Sequence, residues 1–147
     1  MPELIPVEHD PFEPRLIPVE GGDATRRVRF MDRMGDFYYN DPVVELLFQS
    51  IGFRPKDDAK AAKASKYVAI TYGYWEKQLA TSPWLCGADF TMADCAAIPP
   101  MYYARLAAPF SQHPNISAYW ARVQERPSYR KVLAEFEPVW KAMSGNR

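Results

Sequence analysis

Apolar residues recur every three to four positions along most of this 147-residue chain, which is the spacing of one face of an α-helix. After Asp23, which is suited to cap a helix, Val28, Met31 and Met34 begin such a pattern. A second helix is expected over 57–80, and no segment alternates apolar and polar residues as a half-buried strand does. The sequence therefore predicts an all-α fold, a bundle of about five helices.

Proline and turn residues set the expected ends of the helices. Pro42 lacks an N–H donor and is expected to break or kink the first helix. The apolar stripe of that helix would then end on Phe37 or Tyr38. The later helices are expected to begin at Thr91, to cover 116–125, and to run from Ser128 to about Ala142. The inward stripe of the second helix is expected to consist of Ala61, Ala64, Val68, Tyr72, Trp75 and Leu79.

Residues 1–22 differ in composition from the rest of the chain. Five of the 14 prolines fall in this segment, which ends in Gly21-Gly22. Proline fixes φ and removes a donor, so an extended, non-helical backbone is expected here. The sequence thus predicts a proline-rich linker over 1–22, followed by one helical domain over 23–147.

Charge and composition argue against several classes of function. The 18 basic and 18 acidic side chains cancel, and no run of like charge favours nucleic acid or an anionic membrane as a partner. No apolar run approaches the ~20 residues that span a bilayer, and no signal peptide is recognised, so a cytoplasmic protein is expected. The two cysteines, Cys86 and Cys95, have neither CxxC nor zinc-ligand spacing. We expect two reduced thiols and no metal site.

The segment 90–95 carries the strongest local signal. Thr91 is suited to cap a helix, and Asp94, three residues later, can accept from the backbone N–H of the cap, which completes a capping box. Phe90 would pack on Cys95 as a hydrophobic staple. The first turn of a helix can lower the pKa of a thiol, but the staple favours a buried, unreactive Cys95. Asp94 is therefore predicted to be a folding device and not a catalytic residue.

The sequence around this box resembles a motif of one protein family. Residues 84–94 read WLCGADFTMAD, which is similar to the pattern W-x-x-G-x-x-[FL]-[ST]-x-A-D of the glutathione transferase C-terminal domain. Three downstream segments agree with the same family: His113-Pro114-Asn115-Ile116, Tyr119-Trp120 and Arg126-Pro127. The first helix and the segment 96–104 are similar to a bacterial subgroup. The resemblance covers about 16–140.

The resemblance implies that two domains have different roles. In this family a thioredoxin-like N-terminal domain binds glutathione and supplies the residue that stabilises its thiolate. This chain then begins where that domain ends, and its helices bind hydrophobic electrophiles. The whole protein would conjugate glutathione to them, whereas this chain alone is expected to be inactive, with the missing domain or a second copy as its partner. The alternative is a non-catalytic interaction or ligand-carrier module with the same fold.

The resemblance also implies substrate-binding positions, and it implies no catalytic residue in this chain. On the first helix these positions are Asp32, Gly35, Asp36 and Tyr39. Polar residues there would otherwise simply face solvent. Glycine is costly inside a helix, so Gly35 is expected to mark a close approach by another backbone or a ligand. On the third helix, Tyr103 matches an aromatic that relatives place over the junction of glutathione and substrate, although it would also suit the core.

Overall fold

The computed structural model describes residues 16–18 and 22–144. These form α1 (Gly22–Met34), a π-helical segment (Gly35–Asn40), α2 (Asp41–Ser50), α3 (Asp58–Leu79), α4 (Met92–Ala107), α5 (Pro114–Glu125) and α6 (Pro127–Ser144). Within this part of the chain there is no strand, only an isolated bridge between Trp84 and Gly87. The predicted all-α fold is confirmed. α1, the π-helical segment and α2 form one continuous rod, called the first rod below. With α3, α4, α5 and α6 this gives five rods, in agreement with the predicted bundle of about five helices.

Most of the predicted linker lies outside the described residues, which include only 16–18 and the first residue of α1. The carbonyl of Leu16 accepts from the N–H of Met92 at 2.9 Å. The carbonyl of Pro18 accepts from the hydroxyl of Thr25 at 3.1 Å. These hydrogen bonds hold this short piece of chain against the N-terminal ends of α4 and α1.

The π-helical segment shifts the buried face of the first rod by one residue. The buried stripe of α1 ends at Met34, and the next buried aromatic is Tyr39, five residues further on. An α-helix would bring position 38 to that side, but a π turn holds one extra residue, which leaves Tyr38 52% exposed. The expectation that the apolar stripe ends on Phe37 or Tyr38 is therefore wrong.

The expected break at Pro42 does not occur, because the rod remains helical through this residue. Pro42 is buried at the start of α2 and has no N–H to donate, and the carbonyl of Tyr38, four residues back, accepts from the hydroxyl of Thr71 at 3.1 Å instead. Just before it, the N–H of Asp41 donates to the carbonyl of Asp36, five residues back. The altered hydrogen-bond pattern of the π turn thus carries the chain past the proline.

The first rod, α3, α4 and α5 share one core, together with the loop that follows α3. Within it, the ring centres of Tyr39 and Trp75 lie 4.7 Å apart, and the hydroxyls of Tyr39 and Tyr72 are 3.2 Å apart. The Tyr72 hydroxyl donates to the carbonyl of Ala108 at 2.6 Å, so Tyr39 is the donor of the pair. Of the stripe predicted for the second helix, the residues buried in α3 are Ala64, Val68, Tyr72, Trp75 and Leu79, and Ala61 is half-buried.

The carboxylate of Asp94 is fully buried and surrounded by donors. One oxygen accepts from the N–H of Thr91 at 2.8 Å and from its hydroxyl at 3.2 Å. The other accepts from the N–H of Leu85 at 3.1 Å and from the hydroxyl of Tyr119 at 3.0 Å. Burial raises the pKa of Asp94, and these hydrogen bonds act in the opposite direction. The predicted contact between Asp94 and the cap is confirmed, and the same carboxylate also ties α5 and the preceding loop to α4.

The predicted burial of Cys95 is wrong, because its side chain is exposed. The ring of Phe90 instead contacts Trp84, with 5.2 Å between ring centres. The guanidinium carbon of Arg126 lies 3.7 Å from the centre of the Phe90 ring and 5.4 Å from that of Trp84. A cation–π contact from a residue far along the chain therefore takes the place of the local one.

A carboxylate of α3 caps the N-terminus of α5. Glu76 accepts from the backbone N–H groups of Asn115 and Ile116 at 2.9 and 3.0 Å. The side-chain amide of Asn115 donates back to the carbonyl of Glu76 at 3.2 Å. The first N–H groups of a helix have no partner within the helix, and a negative charge is favoured there. This contact fixes α5 against α3.

Gly35 lies at a close approach of two helices, as its position inside a helix predicted. A Cβ added to Gly35 would lie 3.1 Å from the Cβ and 3.4 Å from the carbonyl carbon of Ala96 in α4. These atoms belong to a packed helix, so they cannot turn aside as the end of a flexible side chain would. The neighbour is therefore the α4 backbone, and the glycine lets α4 pack closely on the first rod.

Gly35→Ala is expected to be destabilising relative to Gly73→Ala, its matched control in α3. Crowding in a packed interface costs about 1–3 kcal/mol, whereas alanine recovers about 1 kcal/mol of helix propensity. Gly73 is exposed, with nothing within 4 Å of an added Cβ, so only the favourable effect operates there. Urea denaturation of both variants measures the difference in the free energy of unfolding. Equal stabilisation by both would show that Gly35 and α4 are not in close contact.

Candidate ligand-binding site

An apolar pocket of about 160 Å³ lies between α4 and α6. Its walls are almost entirely apolar, and aromatic rings form much of them. Six of the wall residues are Ile98, Tyr102 and Tyr103 of α4 and Tyr129, Leu133 and Phe136 of α6. A concave site of this kind holds a ligand by burial of nonpolar surface more than by hydrogen bonds.

Aromatic edges hold α6 against α4. The ring of Phe136 lies 5.5 Å from that of Tyr102 and 6.1 Å from that of Tyr103, measured between centres. Trp140 contacts Tyr103 at 5.2 Å and stacks on Phe136. Most of these pairs have the edge-to-face geometry that aromatic quadrupoles favour. Over 127–142, no residue of α6 is fully buried. The helix therefore forms an outer wall of the pocket and does not enter the core.

Tyr103 lies in the wall of this pocket and is half-buried. Burial raises its pKa, and the neighbouring Tyr102 acts in the same direction. The Tyr103 hydroxyl therefore stays protonated at neutral pH, and the ring presents an uncharged aromatic surface. Its role in binding a substrate stays a prediction.

Asp32, Gly35 and Asp36 do not line this pocket. Asp32 and Asp36 are half-buried, and Asp36 lies 3.6 Å from Arg33. Burial raises the pKa of Asp32, with a further contribution from Asp36 and an opposing one from Arg33. Gly35 is buried against α4. The structure thus leaves these residues on the first rod and does not bring them together with Tyr103.

Tyr39 was also expected to face a pocket, and the structure places it in the core instead. The side chain has no exposed surface, its hydroxyl bonds to Tyr72 and its ring packs on Trp75. Burial, with the nearby Tyr72, raises the pKa of Tyr39 well above its usual range. The physical reason for the difference is the π turn, which rotates position 39 inward. The spacing of residues could not predict that Tyr39 is buried, because the prediction assumed a regular α-helix.

The sequence did not predict the wall residues Tyr129, Leu133 and Phe136 of α6. These residues recur every three to four positions along the last helix, which is the signal of one apolar face. That signal does not say whether the face meets the core, a pocket or another chain. The family motif supplies none of these three wall residues either.

Neither thiol is activated by its surroundings. Cys86 is half-buried, and burial raises its pKa to about 11. Burial and the Asp94 carboxylate also raise the pKa of the exposed Cys95, with an opposing contribution from Arg126. The thiolate is the nucleophilic form of cysteine, so both side chains are weak nucleophiles near neutral pH. The low reactivity expected of Cys95 is thus supported, although the side chain is not buried as predicted.

The site and the fold together define a class of protein. Among residues 16–18 and 22–144, no group of three or more His, Cys, Asp or Glu side chains is placed to hold a metal ion. None of the helices in these ranges has the length and apolar character needed to cross a bilayer. The described residues form an all-helical domain with an apolar, aromatic pocket on one side, and small ligands bind to proteins in pockets of this kind.

The family model described as "Glutathione S-transferase, C-terminal domain" matches residues 39–127, which is more than half of the chain. The chain belongs to this family. Its curated relatives include glutathione S-transferase 3 of Zea mays, 29% identical over 125 residues, which cover 81% of this chain and 56% of the relative. Glutathione S-transferase PARB of Nicotiana tabacum is 28% identical over 107 residues, which cover 67% of this chain and 50% of the relative. The chain thus spans about half the length of the curated relatives it matches.

Solved structures show the same fold. Glutathione transferase F7 from Populus trichocarpa superposes with a TM-score of 0.68 at 21% identity, covering 81% of this chain and 59% of that one. A glutathione S-transferase from Actinobacillus pleuropneumoniae superposes with a TM-score of 0.67 at 21% identity, and the match covers 82% of this chain and 54% of that one. At this identity the likeness concerns the fold alone. It supports the helical bundle described above.

Both thiols are expected to react slowly with an aromatic disulfide reagent at about pH 8, since little of either is thiolate. Cys95 should react first because it is exposed. The Cys86→Ser variant should therefore keep the faster phase of the reaction and Cys95→Ser should lose it. The slow rate at Cys86 should continue to rise with pH until the pH passes about 11. Stopped-flow absorbance measures both phases, and a Cys86 that reacts faster than Cys95 would contradict the assignment.

Proposed function

We propose that the pocket between α4 and α6 binds the hydrophobic electrophile of a glutathione transferase reaction. The observation that carries the proposal is an apolar, aromatic cavity that includes Tyr103, in a chain of the glutathione S-transferase C-terminal domain family. Such a pocket attracts nonpolar molecules because their surface leaves water. Asp32 and Asp36 stay candidates for contacts with a larger substrate that extends along the first rod, whereas Gly35 is buried against α4.

The size of the pocket favours small ligands. A cavity of about 150 Å³ lined by apolar side chains is known to hold benzene, and this pocket has about 160 Å³. Its aromatic walls offer edge and face contacts to a flat ring. We therefore infer that one six-membered aromatic ring is the unit that fits.

We further propose that this chain supplies substrate binding and that thiol activation comes from a glutathione-binding unit outside the described residues. The curated relatives carry the name glutathione S-transferase, and the chain spans about half their length. The raised pKa values of Cys86 and Cys95 agree with this division. Conjugation of glutathione to a chloronitrobenzene by this chain alone would contradict it.

Several finer expectations stay proposals. They are the division into a linker over 1–22 and a helical domain over 23–147, a cytoplasmic location, and a role of the whole protein in detoxification. The curated relatives above are plant proteins and one structure is bacterial, so the assignment to a bacterial subgroup also stays a proposal.

A second candidate function, association with another copy of the chain, is favoured by one exposed aromatic face. This face is formed by Phe30, Tyr38, Tyr67, Ile70 and Tyr74 on the first rod and α3. Phe30 and Tyr74 are in ring contact at 6.4 Å, and Tyr38 and Tyr67 at 5.6 Å. Phe30 is 58% exposed and Ile70 is 55% exposed. Clustered apolar surface of this kind marks a site of association.

Filling the pocket should abolish ligand binding. Leu133→Trp adds a large side chain to the wall, so the affinity for toluene or chlorobenzene should fall at least tenfold, because no room is left for the ring. Val139→Trp is the matched control, since Val139 is exposed on the same helix and is not a wall residue. Chemical-shift titration of the Ile98 methyl group measures binding. Equal binding by both variants would place the ligand elsewhere.

Charges placed on the aromatic face should prevent self-association. We expect wild-type protein to show a mass that rises with concentration in sedimentation velocity experiments. The double variant Phe30→Glu, Ile70→Glu should sediment as a monomer, because two like-charged faces repel and the carboxylates would lose water on contact. Leu106→Glu, at another exposed apolar position, serves as control and should behave as wild type. A wild-type monomer at all concentrations would exclude this function for the face.

A further inference from the structure

The guanidinium group of Arg105 is held in a fixed position beside the ligand pocket. Its Nε donates to the carbonyl of Tyr102 at 3.1 Å. Its central carbon lies 4.3 Å from the ring centre of Tyr102 and 5.7 Å from that of Trp120. Stacking of this kind restricts a side chain that would otherwise sample many rotamers. The positive charge is therefore pre-positioned, although Arg105 is exposed to solvent.

The residues that hold Arg105 connect it to the pocket wall. Tyr102 is itself a wall residue. Trp120 contacts the ring of Tyr129, another wall residue, with 5.4 Å between centres. Burial raises the pKa of Tyr129, and the charge of Arg105 acts in the opposite direction. Ring contacts thus link Arg105 to a wall residue of α6 as well as to one of α4.

No carboxylate neutralises this charge in the part of the chain that the structure describes. Arg105 forms no ion pair there, whereas Arg33 and Arg54 each pair with an acidic side chain. Glu137 also influences Tyr129, but its carboxylate is 3.4 Å from the ammonium group of Lys141. The pocket therefore combines apolar walls with one uncompensated positive charge at its side.

We propose that this pocket prefers a single aromatic ring that carries an anionic substituent, such as an arene carboxylate, with the ring between α4 and α6 and the anion on Arg105. This inference rests on the proposed function and names the ligand class of the same site. The Nε of Arg105 is already engaged with Tyr102, so the carboxylate would meet the two terminal nitrogens. A guanidinium binds a carboxylate through two parallel hydrogen bonds, which fixes the direction of the ring as well as its affinity.

A competing ligand class follows from the walls alone. Rings of Tyr102, Tyr103, Tyr129 and Phe136 surround the cavity, and aromatic cages bind quaternary ammonium groups. The charge of Arg105 opposes a cation in the same place. The sign of the preferred ligand charge is therefore decided by this one residue.

Three ligands with the same ring and different charge test the proposal: benzoate, benzamide and phenyltrimethylammonium. Binding is measured on the full chain by chemical-shift titration of the Ile98 and Leu133 methyl groups. Benzoate should bind roughly three- to fivefold more tightly than benzamide, as expected for an ion pair with an exposed guanidinium, and the cation should bind most weakly. The advantage of benzoate should shrink as salt is added.

Arg105→Met keeps much of the length of the side chain and removes its charge. In this variant benzoate and benzamide should bind within about twofold of each other, because neither can form an ion pair. Arg29→Met removes an exposed charge from α1 and should leave the preference as in wild type. Equal affinities of the wild-type chain for benzoate and benzamide would overturn the proposal, and so would a preference for benzoate that survives Arg105→Met. Neither result would contradict the proposed binding of hydrophobic ligands in the apolar pocket. Failure of all three ligands to bind would overturn both.

Discussion

The buried carboxylate of Asp94 is the interaction on which the arrangement of these helices most depends. It accepts four hydrogen bonds from three separate parts of the chain: the cap of α4, the loop at Leu85 and the hydroxyl of Tyr119 on α5. A buried donor left without a partner costs about 1–3 kcal/mol, so the three parts are held in one geometry. That geometry sets the direction of α4, and with it the side of α4 that carries Tyr102 and Tyr103 into the pocket.

Much of this could be predicted because the signals are local. The capping contact of Asp94 depends on residues three positions apart, and the helical periodicity of α3 depends on neighbours three and four positions apart. The predictions that failed had assumed that the first rod is a regular α-helix. The π turn places Tyr39 in the core and Tyr38 at the surface, and nothing in the spacing of residues 35–40 announces an extra residue in that turn. Pro42 does predict an irregular helix in this region, but it does not predict a π turn.

The candidate site shows the same division. Tyr103 could be named as a candidate from its resemblance to a family position, and it lies in the wall of the pocket. The α6 wall could not, since periodicity gives the apolar face of a helix without its partner. The same limit applies to Phe90, which the local pattern pairs with Cys95 and the folded chain pairs with Arg126. Contacts between residues distant in sequence need the packed structure, and Arg105 beside Tyr102 and Trp120 is another of them.

The π turn in the first rod also bears on how this domain tolerates changes in length. Losing one residue from an ordinary α-helix rotates everything beyond it by about 100° and misaligns the core. Between Gly35 and Asn40, loss of one residue would instead convert the wide turn into a regular one, with Met34 and Val43 still on the same side. Length variants of this domain that fold are therefore expected to differ within these six positions more readily than elsewhere in the rod.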